Sequence, residues 1–366
     1  MNLFFLSLII ILLGGFVPLL CCRRFVLMKT FGVLGIGVGC LLGLGGAIVD
    51  LSGAGISRAA FSYLDILSLS FQIDALSAFF LVSIFAVSLL AAIYSFHYMD
   101  KPEETVRTAA HYLFFSLLVM SMALVVVANN MITFMLCWES MSLSSFFLVI
   151  HNYEIPANRR AAYLYVVFSQ VGALFILAAF ALIYAQSGSF EFAAAADLPN
   201  GVKMGVFILA FIGLGSKAGV FPFHVWLPHA HPAAPSHISA VMSGVMIKTG
   251  IYGIVRMYDV LQWHTPVFGN IVLIAGMASG ILGLVYALGQ HDIKRLLAYS
   301  SVENIGIILI GIGIGMLGVA ADQPVMAVLG FAGGLLHVLN HAIFKSLLFM
   351  GAGMVLHKTG TLSLIH

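Results

Sequence analysis

Two lysines stand inside long apolar stretches of the chain, where a charge is costly. Lys217 lies in VFILAFIGLGSKAGVF and Lys248 in ISAVMSGVMIKTGIYGIV. Inserting a lysine at membrane depth costs about 2.5–3.5 kcal/mol, so such a residue usually faces a bundle interior or a wet path. A buried lysine releases its proton more easily than one in water. The pair therefore predicts a proton path. A lysine that snorkels to the interface is the alternative, and it fits Lys217 better than the mid-span Lys248.

An acidic residue, Glu139, lies deep in the apolar stretch MITFMLCWESMSLSSFF. A buried carboxylate is charged only beside a cation, and a lysine in turn holds its proton more firmly when a carboxylate is near. Movement of Glu139 toward or away from a buried lysine would therefore switch proton binding. The alternative is a structural carboxyl group that is hydrogen-bonded to serines across a helix.

Three titratable residues recur every four positions in GGLLHVLNHAIFKSLLF, namely His337, His341 and Lys345. On a helix this spacing places all three on one face. Because histidine titrates near neutral pH, the row predicts a proton wire. A lone buried histidine is more often a hydrogen-bonded core residue, and metal binding is the weaker option because no Cys or acid completes a site.

Further candidates lie in a proline-rich run, FPFHVWLPHAHPAAPSH, which contains His224, His229, His231 and His237. We add His224 and His237 to the possible path, and a surface or structural role is the alternative, more so for His229 and His231. Glu303, in LLAYSSVENIGI, is either a proton-path acid or an interfacial residue.

The elements that must position these residues follow from composition. The chain has 366 residues, of which 61% are hydrophobic and 8% charged, whereas soluble domains carry about 25% charged residues. The apolar runs are long and unalternating, which predicts an all-α polytopic membrane protein. Phosphate-binding, nucleotide-binding, CxxC and nucleophile motifs are absent from the sequence, and the cysteines lack metal-ligand spacing. We therefore expect no cofactor, no metal and no nucleic-acid partner.

A transmembrane helix needs about twenty apolar residues, and the apolar runs of this length predict about eleven transmembrane helices. Proline removes a backbone donor and clashes with the preceding turn, so Pro222 should break the seventh span. The mixed segment 51–74 is expected at a membrane surface, and Gly333 and Gly334 suggest a bent or tilted last span. The expected spans are 3–22, 31–50, 75–98, 109–128, 130–150, 161–185, 203–221, 236–258, 267–289, 297–319 and 325–356.

Loop cations predict the orientation, since Lys and Arg accumulate on the cytoplasmic side. The odd-numbered connections hold most of them, which places the N-terminus outside a cell's inner membrane. The even-numbered connections hold only Arg58, Lys203 and Arg256. The cations assigned to the odd connections are Arg23, Arg24, Lys29, Lys101, Arg107, Arg159, Arg160, Lys294, Arg295 and Lys358.

Four blocks of this sequence resemble the antiporter-like membrane subunits of respiratory complex I, multisubunit sodium/proton antiporters and energy-converting hydrogenases. The run HPAAPSHISAVMSGVMIKTGIYGIVRM together with YSSVENIGI looks most like the large membrane subunit of hydrogenase-4 and formate hydrogenlyase complexes. The four blocks are CWESMSLSSFFLV (137–149), GSKAGVFPFHVWLPHAHPAAPSHISAVMSGVMIKTGIYGIVR (215–256), HDIKRLLAYSSVENIGI (291–307) and HVLNHAIFKSLLF (337–349).

The resemblance implies a site and a fold. It pairs Glu139 with Lys217 on a broken seventh helix, passes the proton to Lys248, and places His337, His341 and Lys345 on the eleventh helix. The family fold has two inverted repeats. We accordingly divide the chain into N-terminal helices (1–108), a first repeat (109–258) and a second repeat (259–366) that is incomplete at its C-terminus, where the second broken helix and the expected proton exit would follow.

The resemblance also implies partners. The chain would translocate protons as a membrane subunit of a hydrogenase or a complex I-like assembly and would hold no redox centre of its own. Two alternatives stay open at this point, a sodium/proton antiporter subunit and a structural membrane-arm subunit without a complete proton path.

Overall fold

The computed structural model describes residues 1–53, 56–63, 67–100 and 102–365. Within these ranges, eleven helical segments are long and apolar enough to cross a membrane, which confirms the predicted class. The helices are α1 (Asn2–Leu20), α2 (Phe25–Leu51), α3 (Ala75–Tyr98), α4 (Thr105–Val125), α5 (Met131–Val149), α6 (Pro156–Ser187), α7 (Asn200–Ala218), α8 (Leu227–Ala233), α9 (Ser236–Val241), α10 (Ile247–Leu261), α11 (Pro266–Leu288), α12 (Ile293–Ala320) and α13 (Pro324–Thr359).

Local sequence signals fix where many helices begin. Asp74 and Asn130 each accept a hydrogen bond from the backbone three residues on, which caps α3 and α5. Proline occupies the first turn of α6, α11 and α13, where its missing N–H has no intrahelical partner to lose. The last helix, α13, runs uninterrupted for 36 residues through Gly333 and Gly334.

The seventh span is broken, as Pro222 predicts. The structure places the end of α7 earlier, at Gly219, whose left-handed backbone (φ +80°) closes the helix. A side chain there would also meet Leu227, because a Cβ added to this glycine would lie 2.0 Å from the Leu227 Cδ1. The chain then passes through a 3-10 turn, Phe223–Trp226, into the short α8. The break thus leaves Lys217 in the last turn of α7.

The eighth span lies at the centre of the bundle, where every residue from Ser236 to Ile254 is buried. It contains one feature that the sequence did not predict, a π-helical segment over Met242–Met246. Such segments are often found at functional sites because they shift the backbone hydrogen-bond pattern by one residue.

The mixed segment 51–74 holds a second unpredicted feature. It forms an antiparallel hairpin of β1 (Ser57–Tyr63) and β2 (Leu67–Ile73), in a chain predicted to be all helical. The hairpin is held on the bundle by edge-to-face ring contacts of Phe61 and Phe71 with Phe5 of α1. The backbone N–H of Ser70 also donates to Thr133 at the start of α5.

Close helix packing of α11, α12 and α13 depends on small residues. A Cβ on Gly306 of α12 would lie 2.3 Å from the backbone nitrogen of Gly280 on α11. A Cβ on Gly330 of α13 would lie 2.3 Å from the nitrogen of Gly315 on α12. These contacts bring the polar face of α13 against α12.

Two of the cations that the sequence assigned to odd-numbered connections are buried within helices. Lys29 is buried in α2, where it donates to the Phe96 carbonyl and to Asp100, and Lys294 is buried in α12 and donates to the Ala234 carbonyl. Both helices begin before the expected spans, α2 at Phe25 and α12 at Ile293. Lys101, another of the counted cations, lies outside the described residues. The orientation of the chain stays a prediction.

Candidate proton path

Lys217 sits at the end of α7, enclosed by α5 and α6. It is 3% exposed, and its ammonium group donates to Ser142 Oγ at 3.1 Å and to Tyr165 Oη at 2.8 Å. The ring centroid of Tyr165 is 5.1 Å from the same nitrogen. The C-terminal end of a helix carries partial negative charge and favours a cation. Lys217 is therefore held by uncharged oxygens and a helix end.

Glu139 and Lys217 are not in direct contact in the part of the chain that the structure describes, and their functional pairing stays a prediction. Among the described residues no carboxylate oxygen lies within ion-pair distance of the Lys217 nitrogen. Glu139 is half-buried, and its Oε2 accepts from Gln170 Nε2 at 2.9 Å on the outer side of α6, where Gln170 is exposed. The hydroxyl groups of Ser142 and Tyr165 occupy the space around the lysine, and the carboxylate faces outward.

Lys248 lies two residues after the end of the π-helical segment and contacts the backbone of that segment. Its ammonium group donates to the carbonyl oxygen of Ser243, five residues earlier. The hydroxyl of Ser243 is hydrogen-bonded to that of Ser301 on α12 at 2.8 Å. At 2% exposure, Lys248 is buried in the bundle as predicted, and its ammonium group donates to an uncharged oxygen.

The predicted row on α13 faces α12. His337 Nε2 lies 2.9 Å from Asn304 Oδ1, and Lys345 donates to Ser300 Oγ at 2.6 Å. His341 lies between them, fully buried, and in the described structure neither ring nitrogen has a hydrogen-bond partner. Ser346, next to Lys345, donates to the Ala240 carbonyl of the eighth span at 3.2 Å. The structure thus brings the row together with Lys248.

The three additional candidates lie in different places. His224 packs near the rings of Phe221, Tyr286 and Tyr299. Glu303 is half-buried and within electrostatic range of Lys345. His237 is fully buried, and its Nε2 lies 2.7 Å from Nε2 of His111 on α4.

The sequence did not identify several polar residues that contact the lysines and histidines. Serine, tyrosine and asparagine are common in membrane helices, and only tertiary packing shows which of them meet a lysine or histidine. The one available signal was spacing, since Ser300 and Asn304 are four residues apart and share a face of α12. His231, assigned mainly a structural role, is fully buried, and His229 is exposed. The missed contacts are Ser142, Tyr165, Ser243, Ser300, Asn304 and His111.

Arg256 and Asp74 form an ion pair near the C-terminal end of the eighth span. Arg256 binds both carboxylate oxygens of Asp74, at 2.7 and 2.9 Å. Burial alone would raise the pKa of Asp74, but the hydrogen bond and charge of Arg256 outweigh it and hold this pKa below its ordinary value. The pair ties α10 to the start of α3 and keeps Asp74 ionised.

Comparison with known proteins places this arrangement in a family. The family model described as "NADH:quinone oxidoreductase/Mrp antiporter, TM" matches residues 128–366, and "NADH-Ubiquinone oxidoreductase (complex I), chain 5 N-terminus" matches residues 64–107. Hydrogenase-4 component B of Escherichia coli is 44% identical over 298 residues, which cover 80% of this chain and 44% of that protein. The chain thus spans about half the length of the curated relative it matches.

Two solved structures share the fold. An archaeal respiratory complex, the membrane-bound sulfane sulfur reductase, matches with a TM-score of 0.83 and 29% identity over 98% of this chain and 57% of that chain. The Mrp complex from Dietzia sp. DQ12-45-1b matches with a TM-score of 0.80 and 25% identity over 98% of this chain and 38% of the other. Such relatives are subunits of multisubunit membrane complexes.

Proposed function

Because the chain belongs to the family of NADH:quinone oxidoreductase and Mrp antiporter membrane subunits, we propose that it translocates protons as one subunit of a membrane-bound redox complex. The observation that carries the proposal is the setting of Lys217 and Lys248. Each ammonium group is buried and held by uncharged oxygens, without a carboxylate in contact. A buried lysine without a counter-charge loses its proton at little electrostatic cost, so its charge can change during turnover.

In this proposal the proton moves inward along the bundle. It binds at Lys217, passes to Lys248, and reaches the row of His341, Lys345 and His337 on α13. The side chains of Ser243 and Ser301 connect the eighth span to α12 beside Lys248 and offer hydroxyl groups along the way. Glu139 acts from the outer face of α5. A change in the charge around this carboxylate would alter the electrostatic field at Lys217.

The energy comes from partner subunits in this scheme. Similarity to hydrogenase-4 component B favours a hydrogenase assembly, in which electron transfer in partner subunits drives the change of charge in this chain. Insertion in a cell's inner membrane with the N-terminus outside is part of the same proposal. The division into a first repeat (109–258) and a second repeat (259–366) also belongs to it.

Replacement of Lys217 tests the proposal. We expect Lys217→Ala to abolish proton translocation in vesicles that hold the assembled complex, while electron transfer by the partner subunits continues. Lys358→Ala is the matched control, because Lys358 is exposed at the end of α13. Full translocation in the Lys217→Ala complex would favour a purely structural role for the chain.

A second candidate function is supported by the Mrp complex, which matches 98% of the chain. As a sodium/proton antiporter subunit, the chain would exchange ions without redox chemistry. Vesicles without an electron donor would then take up sodium when a pH gradient is imposed. Failure to detect this exchange would count against the antiporter function and leave the redox-driven one.

A further inference from the structure

A cavity of about 470 Å³ opens among the ends of α3, α4, α8, α12 and α13 and the α5–α6 connection. Its rim includes the exposed residues Ile155 and His357. Its floor includes the buried residues Thr108, Pro235 and Lys294. The cavity therefore leads from the surface of the bundle to its buried interior, on the side of the odd-numbered connections. None of the residues assigned so far to the proton path lies in its wall.

A buried pair of histidines lies behind this floor. His111 and His237 are 2% and 0% exposed, and their Nε2 atoms are 2.7 Å apart. A neutral imidazole carries one proton, so one ring donates and the other accepts in this contact. In the described part of the chain, Nδ1 of each ring is buried without a hydrogen-bond partner. Leaving such a group unpaired costs about 1–3 kcal/mol, which a merely structural pair would avoid.

One layer of side chains separates the pair from the cavity. His151 lines the cavity, and its ring centroid is 5.0 Å from that of His111. Tyr98 also lines the cavity, and its ring centroid is 5.6 Å from that of His237. The Tyr98 hydroxyl is 3.2 Å from Ser236 Oγ, at the residue before His237. A proton in the cavity thus has titratable and hydroxyl groups leading to the pair.

Titratable groups continue from the pair toward the lysines. His237 is within electrostatic range of Lys294. His231 is the next buried ring, and both of its nitrogens lack a hydrogen-bond partner among the residues described. Its ring centroid is 4.8 Å from that of Phe349 on α13, and its backbone carbonyl accepts from Ser239 Oγ of the eighth span, which also holds Lys248, at 2.8 Å. The sequence of groups reaches the centre of the bundle without passing Lys217.

A metal site is a poorer interpretation of the pair. Across the described ranges, no group of three or more His, Cys, Asp or Glu residues has metal-binding geometry. The 2.7 Å separation of the two Nε2 atoms also leaves no room for an ion between them, since zinc–nitrogen bonds are about 2.0–2.1 Å each. The contact is a hydrogen bond that contains one proton.

We propose that His111 and His237 form a proton entry that draws on this cavity and feeds the Lys248 region. The inference rests on the proposed function. A proton from the cavity binds the free Nδ1 of His111, the proton between the rings moves from His111 Nε2 to His237 Nε2, and His237 releases its own Nδ1 proton inward. One proton enters and one leaves, and the shared hydrogen bond has reversed its direction. Exchange of protons between the ring nitrogens, or ring rotation, resets the pair.

The groups that face the pair set its charge balance. From α3 these are the phenols of Tyr94 and Tyr98, and from α4 the phenol of Tyr112. His151 and Lys294 contribute from the α5–α6 connection and from α12. No carboxylate is among these contacts, so a second proton on the pair is unstable and moves on.

The test compares four substitutions in vesicles that hold the assembled complex. Proton translocation per electron is measured for His111→Gln, His237→Gln, Lys248→Ala and the control His264→Gln. Glutamine keeps a hydrogen-bonding side chain but cannot carry a proton at neutral pH. His264 is exposed in the connection after α10, at the other end of the bundle, where it contacts only Tyr258 in the structure described.

Loss of translocation by at least tenfold in His111→Gln, His237→Gln and Lys248→Ala, but not in His264→Gln, supports the entry. Loss in Lys248→Ala with full activity in both histidine variants overturns the entry and leaves the proposed function intact. Full activity in Lys248→Ala overturns the proposed function and the entry with it. Added imidazole should restore translocation to His111→Ala, and failure to do so would indicate a structural role for the ring.

A separate measurement leaves both histidines in place. Thr108→Cys, made in a chain whose four cysteines are serines, puts a thiol on the cavity floor. A membrane-impermeant methanethiosulfonate should block translocation from the side of the odd-numbered connections and not from the other. Block from the opposite side, or from neither side, would contradict an entry through this cavity.

Discussion

Tyr165→Phe is the substitution that probes the setting of Lys217 most sharply. It removes one of two hydroxyl groups that accept from the Lys217 ammonium, the one at 2.8 Å, and leaves Ser142 at 3.1 Å. The ring stays in place, so no cavity forms. Hydrogen bonds to charged groups contribute about 1.5–3 kcal/mol. Since about 1.4 kcal/mol corresponds to a tenfold change, the protonated form of Lys217 should become about ten- to a hundredfold less favoured.

The stability of the chain should change much less. Ser145 also touches the Tyr165 hydroxyl, but it keeps its bond to the Met141 carbonyl at 2.6 Å. We expect a loss of about 1 kcal/mol, the size of one ordinary hydrogen bond. The matched control is Tyr163→Phe on the same helix, where the side chain is 70% exposed.

The assay measures proton translocation and electron transfer in the same vesicles, with the melting temperature of the solubilised complex as a check on folding. For Tyr165→Phe we expect translocation to fall about tenfold or more, with assembly retained. Tyr163→Phe should match the parent. Equal translocation by the two variants would refute the view that hydroxyl groups control the charge of Lys217.

Three further predictions concern other contacts. Glu139→Gln should abolish coupled translocation while assembly survives, because the amide keeps the contact on the outer face but removes the charge; unchanged pumping would exclude a role for this carboxylate. The Asp74–Arg256 pair stabilises the chain above the unfolded carboxyl pKa of about 3.9, and this contribution is lost as pH falls through the lower folded pKa. Asp74→Asn should therefore lower the melting temperature at pH 7 by a deficit that shrinks as pH falls below about 3.9, and a deficit that does not change with pH would contradict this. Gly306→Val should destabilise the chain by about 1–3 kcal/mol, since its Cβ meets backbone at 2.3 Å, and Gly351→Ala, which meets nothing within 4 Å, is the thermal-melting control.

Length and composition predicted the helical class well, because a bilayer demands long apolar runs whatever the tertiary structure. The break near Pro222 followed from backbone chemistry, and the shared face of His337, His341 and Lys345 from helical periodicity. Each of these depends on residues close together in the sequence. The hairpin in segment 51–74 also follows from a local pattern, the alternation of its side chains, but this alternation is too short to predict strands by itself.

The contacts within the site required tertiary structure. The residues His111 and His237 are 126 positions apart, and no spacing rule joins them. The sequence placed Glu139 inside a span but gave no sign of its contact with Gln170, which is 31 positions away. The π-helical segment before Lys248 has no residue that marks it, and its carbonyl partner could not be foreseen.

In the proposed function, Lys248 changes its charge during turnover. The most direct measurement is the number of protons translocated per electron in vesicles that hold the Lys248→Met complex, beside the parent and Lys358→Met. Methionine fills a similar volume without a charge. We expect a ratio near zero for Lys248→Met, with continued electron transfer and a parental ratio for Lys358→Met. A parental ratio in Lys248→Met would contradict it.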